Sequence, residues 1–213
     1  MAIWVIIPLK PLNRAKSRLS NVLTPVQRQH LAETMFRHVL GVVRNVPQVI
    51  GTLVISRDSK ALSIAREYDA KTVQETGAPD VNPALTRATQ VVATWKGDGV
   101  LVLPGDLPLL TTEDVTGMVK LGQDMLSVVI ATDRQHDGTN ALLMRPPGLI
   151  DYAFGENSFQ RHIQLSREAG VEPKIYESDR LSLDIDLPDD LNRYHDLVGG
   201  LGDTTLDLAK LTP

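Results

Sequence analysis

The sequence predicts an α/β protein, a three-layer sandwich around a mostly parallel sheet. Short runs of Val, Ile and Leu alternate along the chain with longer amphipathic stretches. Strand–helix–strand order brings strands parallel through right-handed crossovers. The runs are almost continuously apolar, as in strands covered on both faces.

Residues 3–7 form the first strand. Thr24-Pro25-Val26-Gln27 then supplies an N-cap, a proline at the first helical position and a Gln at the third, so a helix starts there. Leu31, Met35, Val39, Val42 and Val43 fall near one of its faces. The remaining strands are 51–55, 100–103, 126–131 and 141–144, and the remaining helices are 59–68, 83–95, 112–121, 158–169 and 188–198. Gly170 stops the helix before it. The chain has no internal repeat, no low-complexity tract and no linker long enough to divide it. It is therefore read as one domain over residues 1–213, with the Gly-rich tail from Gly199 peripheral.

At 213 residues the chain can bury a core without covalent staples. Aromatics make up only 4%, so that core is aliphatic. Cysteine is absent, which excludes disulfides, thiolate metal sites and cysteine nucleophiles and fits a reducing compartment. A net charge of −4 lacks the basic excess of a nucleic-acid binder. The apolar start is too short for a signal-peptide core, and no run approaches the roughly 20 residues that span a bilayer. The expectation is a soluble, cytoplasmic protein with neither nucleic-acid nor membrane partners. Its oligomeric state is open, a homodimer among the options.

In open α/β sheets ligands lie beyond the carboxyl ends of the strands, so the chemistry is sought in the segment after each apolar run. After the first strand, the segment from Pro8 to Leu19 contains Lys10, Arg14, Lys16 and Arg18 and no acid. It has no glycine, so it is neither a P-loop nor a dinucleotide fingerprint. It still suits a polyphosphate: Lys supplies point charges and Arg a bidentate fork. The competing reading is a solvated surface loop.

After residues 100–103, Pro104-Gly105-Asp106-Leu107-Pro108 holds a single acid in an apolar segment. Such an acid is rarely buried unless paired or metal-bound. Thr111 or Thr112 caps the next helix better, which leaves Asp106 free for function. In Leu183-Asp184-Ile185-Asp186-Leu187, alternation puts both carboxylates on one side of an extended chain. Adjacent carboxylates repel unless a cation lies between them, and Mg²⁺ is the hard, oxygen-ligated choice. Asp189 and Asp190 suffice to cap the helix opening at Pro188.

Three weaker signals remain. Gly138-Thr139-Asn140 offers a hydroxyl and an amide to an anion. Gly155-Glu156-Asn157-Ser158 opens a helix with Arg161 in its first turn, a combination that attracts anions, although Ser158 as a plain N-cap is the commoner case. Asn82 either caps its helix or reads a base or ribose. His30 and His38 fall on the first helix, and His136, His162 and His195 are read as surface residues. None of the histidines is given a proton to move.

Together these features describe metal-assisted nucleotidyl transfer. In the same order, Pro8-Leu9-Lys10, Ala15-Lys16-Ser17-Arg18-Leu19, Gly105-Asp106-Leu107-Pro108-Leu109-Leu110, Gly138-Thr139-Asn140, Gly155 with Ser158, and Asp184-x-Asp186 with Pro188-x-Asp190 resemble the 2-phospho-L-lactate or phosphoenolpyruvate guanylyltransferase family over about residues 3–195. The resemblance implies a nucleotide-diphospho-sugar transferase (glycosyltransferase-A-like) fold. It also implies transfer of GMP from GTP to phosphoenolpyruvate or 2-phospho-L-lactate with release of pyrophosphate, in coenzyme F-420 biosynthesis. Asp106, Asp184 and Asp186 would bind Mg²⁺. Lys16 and Arg18, with Asp106, would be catalytic. Pro8, Lys10 and Ser17 would lie along GTP, and Thr139, Gly155 and Ser158 would hold the phospho-acid, with Asn140 and Arg161 beside them. The preference for guanine rests on the resemblance alone. Gly138-Thr139-Asn140-Ala141 is similar to the archaeal form rather than to the Gly-Thr-Gly-Thr common in bacterial members, so the acceptor is open between the two phospho-acids. Two other readings stand beside this one. A molybdenum-cofactor guanylyltransferase-like enzyme would need a Gly-rich first loop, which is missing. A non-catalytic nucleotide-binding module would not need three carboxylates.

Overall fold

The computed structural model describes residues 1–76 and 80–198, and the tail from Gly199 lies outside the described residues. The strands are β1 (Ile3–Leu9), β2 (Val49–Ser56), β3 (Lys71–Gln74), β4 (Gly99–Val102), β5 (Ser127–Thr132), β6 (Thr139–Arg145) and β7 (Lys174–Ile175). The helices are α1 (Pro25–Arg44), α2 (Ser59–Glu67), α3 (Val81–Thr94), α4 (Thr112–Leu121), α5 (Ser158–Glu168) and α6 (Pro188–Val198). Single 3₁₀ turns occupy Leu12–Arg14 and Ser17–Leu19.

The strands form one sheet in the order β3-β2-β1-β4-β6-β5-β7. Its pairings are parallel except those of β6, which runs antiparallel to β4 and to β5. The reason is connection length. Only residues 133–138 join β5 to β6, whereas a parallel crossover needs a dozen or more. The reversal also has a consequence for the site. The amino end of β6 comes to the sheet edge at which β1, β2 and β4 finish, so its first residue, Thr139, faces the cleft there. The apolar pattern begins this strand two residues late and leaves Thr139 and Asn140 in a turn. It also misses β3 and β7, which are short edge strands; Lys71-Thr72-Val73-Gln74 has no apolar run to mark it.

Alternation within the strands builds the three layers. Ile3, Val5 and Ile7 pack with α1, α2 and α4 on one face, while Trp4 and Ile6 pack with α3 on the other. Leu101 and Leu143 follow the first set, and Val102 and Leu142 the second. Each fully buried aliphatic side chain contributes about 1.5–3 kcal/mol relative to an exposed one.

The helix starts follow from their caps. Thr24 and Gln27 form the expected capping box, and Thr111 forms another with Asp114. Asp80, not Asn82, caps α3. Asn157 in the left-handed region (φ 53°) precedes α5 without a side-chain cap bond, so Ser158 is the first helical residue rather than the N-cap. Gly170 follows α5 at φ 77°, a conformation glycine adopts without strain.

Candidate active site

A small apolar cluster lies beneath the site and gathers its parts. Leu19 from the basic segment, Leu109 from the loop after β4, Leu183 and Ile185 from the segment before α6, and Leu31 and Met35 of α1 pack together with Tyr194. Three segments far apart in sequence are thereby held against one helix. The basic segment is pinned a second time, since the Leu12 N–H donates to Asp58, which also caps α2 (2.8 Å). Burial of Leu12 and Leu19 leaves Lys10, Arg14, Ser17 and Arg18 along the cleft.

Lys16 behaves differently from its neighbours. It takes the left-handed conformation (φ 55°), which costs a non-glycine residue roughly 1–2 kcal/mol, and its side chain is only 4% exposed. The ammonium donates to Asp106 Oδ2 at 2.6 Å and to Asp186 Oδ1 at 2.9 Å. Burial alone would lower its pKa, but the two carboxylates raise it above the ordinary lysine value, so the charge is retained. Gly105 lets the Asp106 loop approach β1, because a Cβ there would come within 2.7 Å of Leu9 Cδ1.

The Asp184–Asp186 segment is irregular rather than a strand, yet the alternation holds: Leu183 and Ile185 are buried, whereas both aspartates are only part-buried. Asp190 accepts from the N–H groups of Asp186 (2.9 Å) and Leu187 (2.6 Å) and fixes this turn into α6. Upstream, the buried Asp114 carboxylate takes a bidentate pair from Arg180 (2.7 and 3.0 Å) and a bond from Ser178 (2.8 Å). Burial raises the Asp114 pKa, but the bonds from Arg180, Thr111 and Ser178 outweigh this and hold it below the usual carboxylate range. The Asn140 amide donates to Leu181 O at 2.9 Å.

The two clustered aspartates differ in ionisation. Burial, then the Asp106 and Asp186 charges, pushes the Asp184 carboxyl up to about 6. Burial would raise Asp186 as well, but Lys16, followed by Arg18 and Lys10, holds it below the usual range. Arg18 is 71% exposed and 3.9 Å from Asp186, so that pair is screened. The cation shared by Asp106 and Asp186 here is the Lys16 ammonium, and among the described residues no three acidic or imidazole side chains are arranged as a metal shell. The donor chemistry nevertheless suits a hard divalent ion. Carboxylate oxygens outnumber the buried ammonium, and the Asp106 and Asp186 charges, which add to burial in raising Asp184, are the repulsion such an ion relieves.

A cleft of about 550 Å³ is lined by Pro8, Lys10, Lys16, Ser17, Arg18, Asp106, Thr139 and Asp186, with Phe154 on its wall; Asp184 is not part of this lining. Some expected residues are placed elsewhere. Asn140 follows Thr139 on β6, so it points to the opposite face and holds the Leu181 backbone. Asn82 does not cap α3: its amide oxygen accepts from the Phe154 N–H (2.8 Å) and its amide nitrogen donates to the Phe154 C=O (3.1 Å). Gly155 (φ 123°), Ser158 and Arg161 follow Phe154 at the start of α5 and are not part of the cleft lining. Three charged lining residues were not expected from the sequence: Arg57, Glu75 and Asp80. Arg57 and Glu75 pair at 3.4 Å. Arg57 directly follows β2, so the strand-end rule could have found it, whereas Glu75 follows the unmarked strand β3.

His162 corrects an expectation. Read from the sequence as a surface residue, it is fully buried between Thr139 Oγ1 (2.9 Å) and the Ala153 N–H (3.0 Å). Burial, then Arg161, lowers its pKa from 6.5 to about 4. The unfolded chain therefore takes up the proton first as pH falls. The stabilisation is complete above pH 6.5 and is lost progressively toward pH 4, by about 3 kcal/mol in total. Urea midpoints measured across that range should show a steeper acid loss of stability in the wild type than in His162→Gln. Equal slopes would disprove the assignment.

The fold and the cleft define an α/β nucleotidyltransferase-like protein, and solved structures agree on the fold. A protein of Desulfovibrio desulfuricans G20 described as a nucleotide-diphospho-sugar transferase superposes with a TM-score of 0.77 at 16% identity, over 99% of this chain and 94% of its own. CMP:2-keto-3-deoxy-manno-octonic acid synthetase, solved with CTP, gives 0.62 at 14%, over 92% and 98%. Sequence is more specific: residues 3–206 match the family described as guanylyl transferase CofC like, and the chain belongs to that family. Phosphoenolpyruvate guanylyltransferase of Rubrobacter xylanophilus is 35% identical over 193 residues, 91% of this chain and 93% of the relative. 2-Phospho-L-lactate guanylyltransferase of Methanothermobacter thermautotrophicus is 35% identical over 192 residues, 90% and 83%. No helix among the described residues is long and apolar enough to cross a membrane.

Proposed function

We propose that the protein transfers GMP from GTP to phosphoenolpyruvate or 2-phospho-L-lactate and releases pyrophosphate, as a step in coenzyme F-420 biosynthesis. The observation that carries this reading is the junction of Lys16 with Asp106 and Asp186 at the mouth of a cleft lined by further cations, in a chain whose relatives bear those two guanylyltransferase names.

The main obstacle is electrostatic. An anionic acceptor phosphate attacks the α-phosphorus of an anionic triphosphate in line, and charge develops on pyrophosphate. Lys10, Arg14 and Arg18 reach the phosphates from the exposed side of the cleft, with Arg18 offering a planar fork. Lys16, fixed by two carboxylates, needs no reorganisation when charge develops, which makes it an effective electrostatic group. Thr139 donates to the acceptor at the Phe154 end, and the start of α5, with Gly155, Ser158 and Arg161, offers backbone N–H groups and a cation nearby. No general base is required, because the acceptor phosphate is already ionised near neutral pH. Asp106, Asp184 and Asp186 would hold Mg²⁺, which when bound neutralises charge on phosphate oxygens.

The decisive experiment incubates the protein with GTP, Mg²⁺ and each phospho-acid separately. Pyrophosphate is measured and the products are identified by mass. Pyrophosphate release that depends on one acceptor, with a guanylylated phospho-acid as product, is the expected result. Tight GTP binding without release in the presence of either acceptor would overturn the reading.

A further inference from the structure

We infer that His162 is a positioning residue that fixes Thr139 as a hydrogen-bond donor toward the cleft, so that this point of the site accepts only an atom with a free lone pair, such as a phosphate or carboxylate oxygen. The inference rests on the reaction proposed above and deepens it, since it concerns how the acceptor is chosen.

Proton positions decide the orientation. The Ala153 backbone N–H points at His162 Nε2 from 3.0 Å, and a backbone amide can only donate. Nε2 must therefore carry the lone pair, and the neutral ring must carry its proton on Nδ1. Nδ1 is 2.9 Å from Thr139 Oγ1, so the ring donates and the hydroxyl oxygen accepts. The opposite tautomer would set Nε2–H against the Ala153 N–H, two donors head to head in a fully buried place. The Thr139 hydroxyl keeps one proton, and among the described residues its only polar side-chain partner is that imidazole. Thr139 lines the cleft, so the O–H is available to a ligand there. Accepting from Nδ1–H also polarises the hydroxyl and strengthens its donation.

The surroundings lock this arrangement. Asn82 grips the Phe154 backbone on both sides, and the Phe154 ring meets the imidazole edge-on at 4.9 Å. The loop that supplies the Ala153 N–H therefore cannot drift from the ring. This gives Asn82 and His162 a part in the site: Asn82 holds the loop, the loop selects the tautomer, and the tautomer aims Thr139.

The test uses two readouts. ¹⁵N spectra of the wild-type protein at pH 7 should show a pyrrole-type Nδ1 and a pyridine-type Nε2 for His162. The reverse tautomer would overturn the proposal, and this measurement needs no substrate. Kinetics supply the second readout. His162→Leu should raise KM for the phospho-acid about tenfold or more, the scale of one lost bond to a charged ligand, with KM for GTP little changed. His162→Gln, whose amide carries a donor and an acceptor at similar spacing, should recover most of the acceptor affinity. Equal increases for both substrates, or no recovery with Gln, would make His162 merely structural and overturn the proposal. Should no acceptor support turnover in the wild type, the reaction reading fails, while the tautomer still decides for or against His162.

Discussion

Asp106→Asn should lower the acceptor-dependent release of pyrophosphate about a thousandfold while leaving the urea midpoint near that of the wild type. The amide has the same shape as the carboxylate but cannot carry its charge. It weakens the 2.6 Å bond to Lys16 and leaves that ammonium paired mainly with Asp186. It also removes one oxygen donor from the set proposed for the divalent ion. The folding cost is small because the Asp106 side chain is 30% exposed and only half of the Lys16 pairing is disturbed; pairs of this exposure contribute about 1 kcal/mol or less. Asp184→Asn should behave similarly in turnover. The relevant measurement is steady-state pyrophosphate release set beside urea unfolding for both variants. Activity near wild type in both would remove these carboxylates from the chemistry.

The layers of the fold were legible because β1, β4 and β6 are continuous apolar runs and every helix carries a periodic face or a cap signal. β3 and β7 were not, because edge strands need no apolar run. The reversal of β6 could have been inferred from the short connection to β5, and with it the place of Thr139 at the cleft. Asp106 and the Asp184–Asp186 pair stood out as acids without a local duty. What no local pattern could give was the partner: Lys16 looked like one cation among four, and only the packing of Leu19 against Ile185 and Leu109 makes it the buried one. The contacts of Asn82, Asn140 and His162 were not legible for a common reason. Each makes bonds to backbone or side chains distant in sequence, and polar residues of that kind resemble surface or ligand-facing ones until the chain is folded.

Lys16→Met tests the centre of the site from the other side, and its effect should depend on pH in a definite direction. Methionine fills much the same space without the charge, so Asp106, Asp184 and Asp186 face one another with no buried cation between them. Turnover should fall at least as far as in Asp106→Asn. Breaking a fully buried pair costs about 3–5 kcal/mol, but the two carboxylates are 30% and 44% exposed and water screens much of their repulsion. A loss of about 1–2 kcal/mol at pH 7 is expected. In the wild type the Asp184 carboxyl is already raised to about 6 by burial and by its neighbours, with Lys16 opposing the rise. Removing Lys16 moves it higher. A carboxyl whose folded pKa exceeds its unfolded value binds its proton more readily in the native state, so the native variant gains stability as pH falls. The gap between wild type and Lys16→Met, measured by urea unfolding, should therefore narrow from pH 7 to pH 5. A gap that stayed constant across this range would mean that the lysine stabilises the protein by packing its stem, and a gap that widened would equally contradict the picture of three carboxylates held together by one ammonium.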